Sequence, residues 1–211
     1  MTIVIRDDIF TDAEKNDIEK YLTGDFPWHL GEGHENTAGP ELLNHFKENN
    51  PIFEHFQLCH GAIIEGKINS PFSELFIEMN KRFQEEFNIS GTLQRVKANL
   101  QPKVYTDLKN CFNTPHVDNL LPHWVLLYYV NDADGDTFIF NNEIDKSNSN
   151  WDTDMYWDPS QYPKYLNINQ RIQPRKGRTV LFDGKFLHSG MHPRNTDYRI
   201  VINFNIKKDE H

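Results

Sequence analysis

At 211 residues, with 37% hydrophobic and 13% aromatic side chains, the chain is long enough for one domain with a substantial core, and phenylalanine is plentiful enough to fill it. A net charge of −9 argues against broad attraction to nucleic-acid phosphate, and the one basic cluster (Arg171, Arg175, Lys176, Arg178) reads as a solvated strand edge and turn. Cys59 and Cys111 are too few for a disulfide framework or metal-ligand spacing, no apolar run could span a bilayer, and no secretion-signal pattern opens the chain, so a reducing cytoplasm is expected.

Ile3-Val4-Ile5 is a short strand candidate. Thr11-Asp12-Ala13-Glu14 matches a capping box, in which the Thr hydroxyl and the Glu carboxylate satisfy early helix amides. The helix it opens is predicted to run to about Leu22, burying Ile18, Tyr21 and Leu22. Residues 24–62 are rich in Gly, Asn, His and Pro and read as irregular, with one short helix near Pro40–Lys47. A second helix is clearer: Ser70 caps it, Pro71 suits its first turn, and Phe72, Leu75, Phe76, Met79, Phe83 and Phe87 recur at helical spacing. That stripe is core packing for a helix lying across a sheet.

From Leu93 the period changes to strands. Leu93–Gln101, His116–Asp118, Trp124–Asn131, Thr137–Phe140, Arg171–Gln173, Thr179–Phe182, Leu187–Gly190 and Tyr198–Lys207 are the candidates, separated by Gly, Pro, Asn and Asp turns. About eight strands suffice for a jelly-roll barrel with helices on one face, so the fold is predicted to be mainly β with flanking helices. The domain is taken as 1–211, with residues 1–90 supporting a barrel over 91–207. Between strands, 141–170 is polar yet carries Trp151, Tyr156, Trp157, Tyr162 and Tyr165. A connection this long is usually functional or disordered, and disordered segments are poor in aromatics, so an ordered lid is the reading.

A lone His-x-Asp carries little weight in a chain with 10 His. Its context gives it weight. Residues two apart in a strand share a face, so His116 and Asp118 can both point inward, while His188 sits in a strand–turn–strand stretch and Arg199 opens a β-branched run. Two imidazoles and one carboxylate on one side of a metal leave its other positions open, the arrangement used by non-haem Fe(II) oxygenases. An arginine in the same barrel suits a dicarboxylic acid, because guanidinium stays charged and grips a carboxylate bidentately. Asn203 and Asn205 share strand parity with Arg199 and therefore face the interior, where each needs a partner: the co-substrate, an iron-bound ligand or backbone. Asn99 and Gln101 are similar candidates on the first long strand. His123 and His192 lack the parity and spacing and read as non-ligands, and Asp183 reads as a turn residue orienting the hairpin before His188.

His116-Val117-Asp118-Asn119, Leu127-Tyr128-Tyr129-Val130-Asn131, Gly135-Asp136-Thr137, Leu181-Phe182-Asp183, His188 and Tyr198-Arg199-Ile200 together resemble the Fe(II)- and 2-oxoglutarate-dependent dioxygenase superfamily, in its prolyl 4-hydroxylase-like branch. The resemblance runs from about Leu93 to Lys207. It implies a double-stranded β-helix with iron at one open end, held by His116, Asp118 and His188. It also implies 2-oxoglutarate with its distal carboxylate on Arg199 and Tyr129 beside that tail. Asp136 stands where the family often has a second Gly, and Arg199 where collagen-type prolyl hydroxylases usually have Lys.

The activity this implies is hydroxylation of a substrate carbon using O₂ and 2-oxoglutarate, with release of succinate and CO₂ and ascorbate as a candidate reductant. A prolyl residue of a peptide or protein is the first substrate by resemblance. A small metabolite such as a free amino acid is the alternative, and a metal-binding barrel without turnover is a third. No nucleic-acid or membrane partner is expected, and the sequence leaves the oligomeric state open.

Overall fold

The computed structural model describes residues 2–31, 44–53, 55–106, 111–143 and 164–209. Its elements run β1 (Val4–Arg6), α1 (Asp12–Thr23), β2 (His29–Gly31), β3 (Gln57–Ile64), β4 (Lys67–Ile68), α2 (Ser73–Phe87), β5 (Gly91–Pro102), β6 (His123–Tyr129), β7 (Thr137–Glu143), β8 (Ile168–Ile172), β9 (Thr179–Asp183), β10 (Phe186–Gly190) and β11 (Tyr198–Lys208). The strands form two antiparallel sheets. The larger has the order β1-β9-β6-β11-β5-β3-β2, with β4 paired to β3, and the smaller has the order β10-β7-β8.

Alternation along β11 fixes the layers, because successive side chains point to opposite faces. Ile200, Ile202, Phe204 and Ile206 face one way, all fully buried. The first three pack with Val96 and Ala98 of β5, Leu126 and Tyr128 of β6, and Ile18, Leu22, Phe76, Met79 and Phe83 of the two helices. On the opposite face, Val201 joins Val125, Leu127 and Tyr129 of β6, Ile139 of β7 and Phe186 of β10 in a second core between the sheets. A third cluster, with Phe46, Phe112, Phe138, Phe140 and Leu187, covers the outside of the smaller sheet.

The helices form where the sequence places them. Thr11 caps α1: its Oγ1 accepts from Glu14 N at 3.3 Å, and Glu14 Oε2 accepts from Thr11 N at 2.7 Å. Tyr21 is a correction, since it is 39% exposed and lies at the helix rim against Phe26 and Phe72 rather than beneath the helix. Ser70 does not cap α2. Pro71 and Phe72 form a preceding turn, so the helix starts at Ser73, while Ser70 Oγ accepts from Phe72 N and meets His60 Nε2 at 2.8 Å.

Three further differences concern the strands. Residues 24–62 are not merely irregular: β2 and most of β3 lie there, and β1 to β4 all join the larger sheet, so the N-terminal part builds that sheet as well as buttressing it. His116–Asp118 is no strand but a single bridge from His116 to His188. The two sheets do not close into a barrel. Residues 44–47 are helical, whereas 40–43 and four of the aromatics in the expected lid (Trp151, Tyr156, Trp157, Tyr162) lie outside the described residues. Tyr165, the fifth, is exposed. Among the described residues no helix is long and apolar enough to cross a membrane.

The basic cluster of the sequence is tied to the body of the protein. Arg171 pairs with Asp136, Lys176 with Glu19, and Arg178 with both oxygens of Asp7 at 2.8 Å.

Candidate active site

His116 and His188 exchange backbone hydrogen bonds, N–H to carbonyl, at 3.0 and 2.9 Å. The bridge sets their imidazoles side by side, 4.7 Å between ring centroids. Each ring is also oriented from behind: His116 Nδ1 lies 3.1 Å from the Thr114 carbonyl and His188 Nδ1 lies 3.3 Å from the Phe186 carbonyl. A carbonyl only accepts, so both Nδ1 atoms carry a proton, and Nε2 is the atom that each ring can offer to a metal. Burial, followed by the proximity of His188, pulls the pKa of His116 down to about 4, so this ring is neutral near pH 7.

Asp118 faces both Nε2 atoms, with Oδ2 3.4 Å from His188 and Oδ1 3.9 Å from His116. The ligand atoms of the three residues lie within 4.8 Å of one another, and His188 Nε2 is buried without a hydrogen-bond partner. A buried nitrogen lone pair beside a carboxylate and a second imidazole fits a divalent cation, which would satisfy all three at once.

The carboxylate is itself held. Asn203 Nδ2 donates to both of its oxygens at 3.1 and 2.9 Å, Asn205 Nδ2 to Oδ2 at 2.9 Å, and Arg95 Nη1 to Oδ1 at 3.1 Å. Burial alone would raise its pKa, but His188, Arg95 and His116 outweigh that and hold the carboxyl well below its ordinary range. Asn203 and Asn205 thus face inward, as their parity requires, and their amides go to Asp118.

Arg199 lies farther along β11. It stands four positions before Asn203, about 13 Å at the rise of a strand. Its side chain is buried, and its guanidinium donates to two neutral oxygens, Gln101 Oε1 and, at 2.7 Å, Thr137 Oγ1. Its Nε is buried with no partner, and among the described residues no carboxylate lies within ion-pairing distance. Burial lowers its pKa, yet an arginine starts so high that it stays charged. A buried cation without a counter-ion is costly, so this one is a ready anchor for a ligand carboxylate.

Tyr129 sits behind that anchor. Its ring lies under the guanidinium, 5.5 Å from centroid to Cζ, and its hydroxyl donates to Thr137 Oγ1 at 2.6 Å. Thr137 Oγ1 therefore accepts from both Tyr129 and Arg199, which leaves its own proton free for a third partner. Burial raises the Tyr129 pKa, so the phenol keeps its proton.

The metal ligands and the arginine open into one cleft of about 650 Å³ including its mouth. One wall of it comes from β5, whose residues Arg95, Lys97, Asn99 and Gln101 point inward, with Gln57 of β3 beside them. Across the β5–β11 pair these stand opposite Asn205, Asn203, Val201 and Arg199 in register. Sequence reasoning named Asn99 and Gln101 but not Arg95, Lys97 or Thr137. Strand parity with Gln101 was the available signal for the two cations.

Other sequence candidates lie elsewhere. His123 and His192 are buried and directed by Nδ1 to the Leu121 and Pro102 carbonyls, outside the metal cluster. Asp183 accepts from Lys185 N at 3.1 Å and Lys208 Nζ at 2.8 Å, as a turn residue would.

No family model and no curated protein matches the sequence. Solved structures do match the fold. An oxidoreductase of the 2OG-Fe(II) oxygenase family from Burkholderia pseudomallei is 15% identical with a TM-score of 0.60, over 97% of this chain and 84% of that one. The non-heme alpha-ketoglutarate-dependent carbocyclase SnoK from nogalamycin biosynthesis is 9% identical with a TM-score of 0.58, covering 97% and 80%. The epimerase SnoN from the same biosynthesis is 9% identical with a TM-score of 0.57, covering 97% and 78%. The chain has the jelly-roll-like fold of these oxygenases, and its His-Asp-His group and buried arginine fit Fe(II) and 2-oxoglutarate.

Proposed function

We propose that the protein is an Fe(II)- and 2-oxoglutarate-dependent oxygenase that hydroxylates a carbon of its substrate, with residues 1–211 acting as one domain. The observation that carries this reading is the pairing, in one cleft, of a two-imidazole, one-carboxylate group with a buried arginine that has no counter-ion among the described residues. A metal-binding module without turnover would have no use for that second feature. The ketoglutarate dependence of two fold neighbours supports the same reading.

His116, Asp118 and His188 would hold the iron. When bound, the ferrous ion supplies oxygen activation coupled to decarboxylation of 2-oxoglutarate to succinate and CO₂. The chain's own residues do the rest. Arg199 pairs with the distal carboxylate of 2-oxoglutarate, Thr137 donates its free hydroxyl proton to the same group, and Tyr129 holds Thr137 and Arg199 in place. Asn203, Asn205 and Arg95 keep Asp118 ionised and aimed at the metal. Leu127 and Val201 line the cleft and limit water beside the co-substrate. A reducing compartment such as the cytoplasm, or ascorbate, would keep the iron ferrous.

By the sequence resemblance, the first substrate is a prolyl residue of a peptide or protein. A second reading, a small polar metabolite, is favoured by the cleft wall, whose described side chains include five amides and no Phe, Tyr or Trp. Grooves that read proline-rich segments are lined by aromatics.

Succinate release from 2-oxoglutarate in the presence of Fe(II), O₂ and ascorbate tests the activity. Substrate-independent turnover at a low rate, rising with an extract that contains the substrate, is the expected result. No succinate under any mixture would return the protein to the class of metal binders.

A further inference from the structure

Directly across the β5–β11 pair from Arg199 stands Gln101, whose Oε1 accepts from Arg199 Nη1. A glutamate would differ there only by one oxygen in place of one NH₂. It would also give the buried guanidinium the counter-ion that it lacks among the described residues. Acidic side chains are plentiful in this chain, 31 Asp and Glu against 22 Lys and Arg, yet position 101 carries the neutral isostere. Gln101 therefore holds the guanidinium in place without cancelling its charge.

The amide is also oriented. A guanidinium only donates, so the oxygen of Gln101 faces it and Nε2 faces away. Gln101 is 3% exposed and lines the cleft, and among the described residues its Nε2 meets no acceptor. Buried N–H protons thus stand beside an uncancelled cation, and an anionic acceptor satisfies both at once. Gly190 keeps the pair accessible. It lies opposite Thr137 in the smaller sheet and its backbone is outside the left-handed region, so conformation does not call for glycine. A Cβ there would lie 3.4 Å from Arg199 Nη1 and 3.5 Å from both Gln101 Nε2 and Oε1, resting on the pair. Glycine inside a strand marks a place where another group comes close.

We infer that Gln101 is a specificity-determining residue: it orients Arg199, leaves its charge uncancelled and adds its own N–H to the carboxylate that Arg199 receives. The amide at position 101, in place of an acid, is what lets this end of the cleft take a diacid. The inference rests on the oxygenase reading above and deepens it, since the carboxylate concerned is the distal one of 2-oxoglutarate.

Calorimetric titration of the protein loaded with Mn(II), a redox-silent stand-in for iron, tests it. The probes are 2-oxoglutarate and 2-oxopentanoate, which has a methyl group in place of the distal carboxylate, so their comparison isolates that carboxylate. Gln101→Glu should weaken 2-oxoglutarate by at least about tenfold, because the new carboxylate competes for Arg199. Binding of 2-oxopentanoate and of Mn(II) should each stay within about twofold of the parent. Gln101→Leu, which removes the donor and the orienting oxygen together, should show a similar loss and replaces Gln101→Glu where that variant does not fold. Parental or tighter 2-oxoglutarate binding in either folded variant, an equal loss for 2-oxopentanoate, or equal affinity of the parent for the two acids would overturn the inference. Failure of the parent to bind 2-oxoglutarate at all is a different result, and it would remove the oxygenase reading beneath.

Discussion

His116 and His188 are joined through their backbones, each N–H to the other's carbonyl, and this single antiparallel bridge places both imidazoles on one side of the cleft. Side chains opposite each other in such a pair stand close enough to share a ligand. The spacing of two of the three donors is therefore a backbone property. The third donor, Asp118, lies outside any strand and depends on side chains from β5 and β11 for its aim.

Asn203→Ala should consequently weaken metal binding by about ten- to a hundredfold, the usual consequence of removing a group that supports a ligand. Mn(II) titration by calorimetry measures it. Unchanged affinity would mean that Asn205 and Arg95 hold Asp118 without help from Asn203.

Arg199→Ala should raise the 2-oxoglutarate concentration required for half-saturation by at least about tenfold, since a charge-assisted bidentate contact is lost. Metal affinity should stay within about twofold of the parent, because Arg199 touches none of the three donors. Thr137→Val should show a smaller effect in the same direction. Normal 2-oxoglutarate dependence in Arg199→Ala would assign the anchor elsewhere.

The metal-free protein should lose stability as pH falls from about 6.5 towards about 4. His116 and His192 are each pulled down to about 4 by burial, whereas in the unfolded chain they titrate near about 6.5. Between those values the unfolded state binds the extra protons, so acidification favours unfolding, by up to about 1.4 kcal/mol per pH unit for each histidine. Urea midpoints at three pH values across the window measure the slope, and a flat profile would contradict buried neutral histidines.

Much of the fold was legible because apolar residues repeat at helical spacing in α2 and β-branched residues dominate β11. β3 was not, since His60 and Gly61 interrupt its run and its pairing with β5 is a long-range fact. Arg95 and Lys97 escaped for a related reason. Alternation shows that a strand has two faces but not that both are covered: here Val96 and Ala98 pack under the helices while the polar face of β5 lines the cleft. The spacing of His116 and Asp118 predicts strand neighbours; the structure brings them together instead through a bridge and a loop. The parity of Asn203 and Asn205 was visible, whereas their partner required the fold. Thr137 reads from sequence as the end of a turn motif and the start of a strand, and nothing local announces that Tyr129 and Arg199 meet on its hydroxyl.

Gly135→Ala should destabilise the protein by about 1–3 kcal/mol, the range for overpacking. A Cβ there would lie 2.3 Å from the Met191 carbonyl oxygen, which is backbone and cannot swing aside. Chemical denaturation reads the change, and a neutral outcome would show that the turn before Thr137 can relax.

The most direct measurement of the central claim is anaerobic titration with Fe(II) and 2-oxoglutarate, following the visible charge-transfer absorption that arises when ferrous iron is chelated by a 2-oxo acid. One iron per chain and a 2-oxoglutarate-dependent band are predicted, both lost in Asp118→Ala. A band of parental intensity and affinity in Asp118→Ala would contradict the claim that His116, Asp118 and His188 together hold the metal.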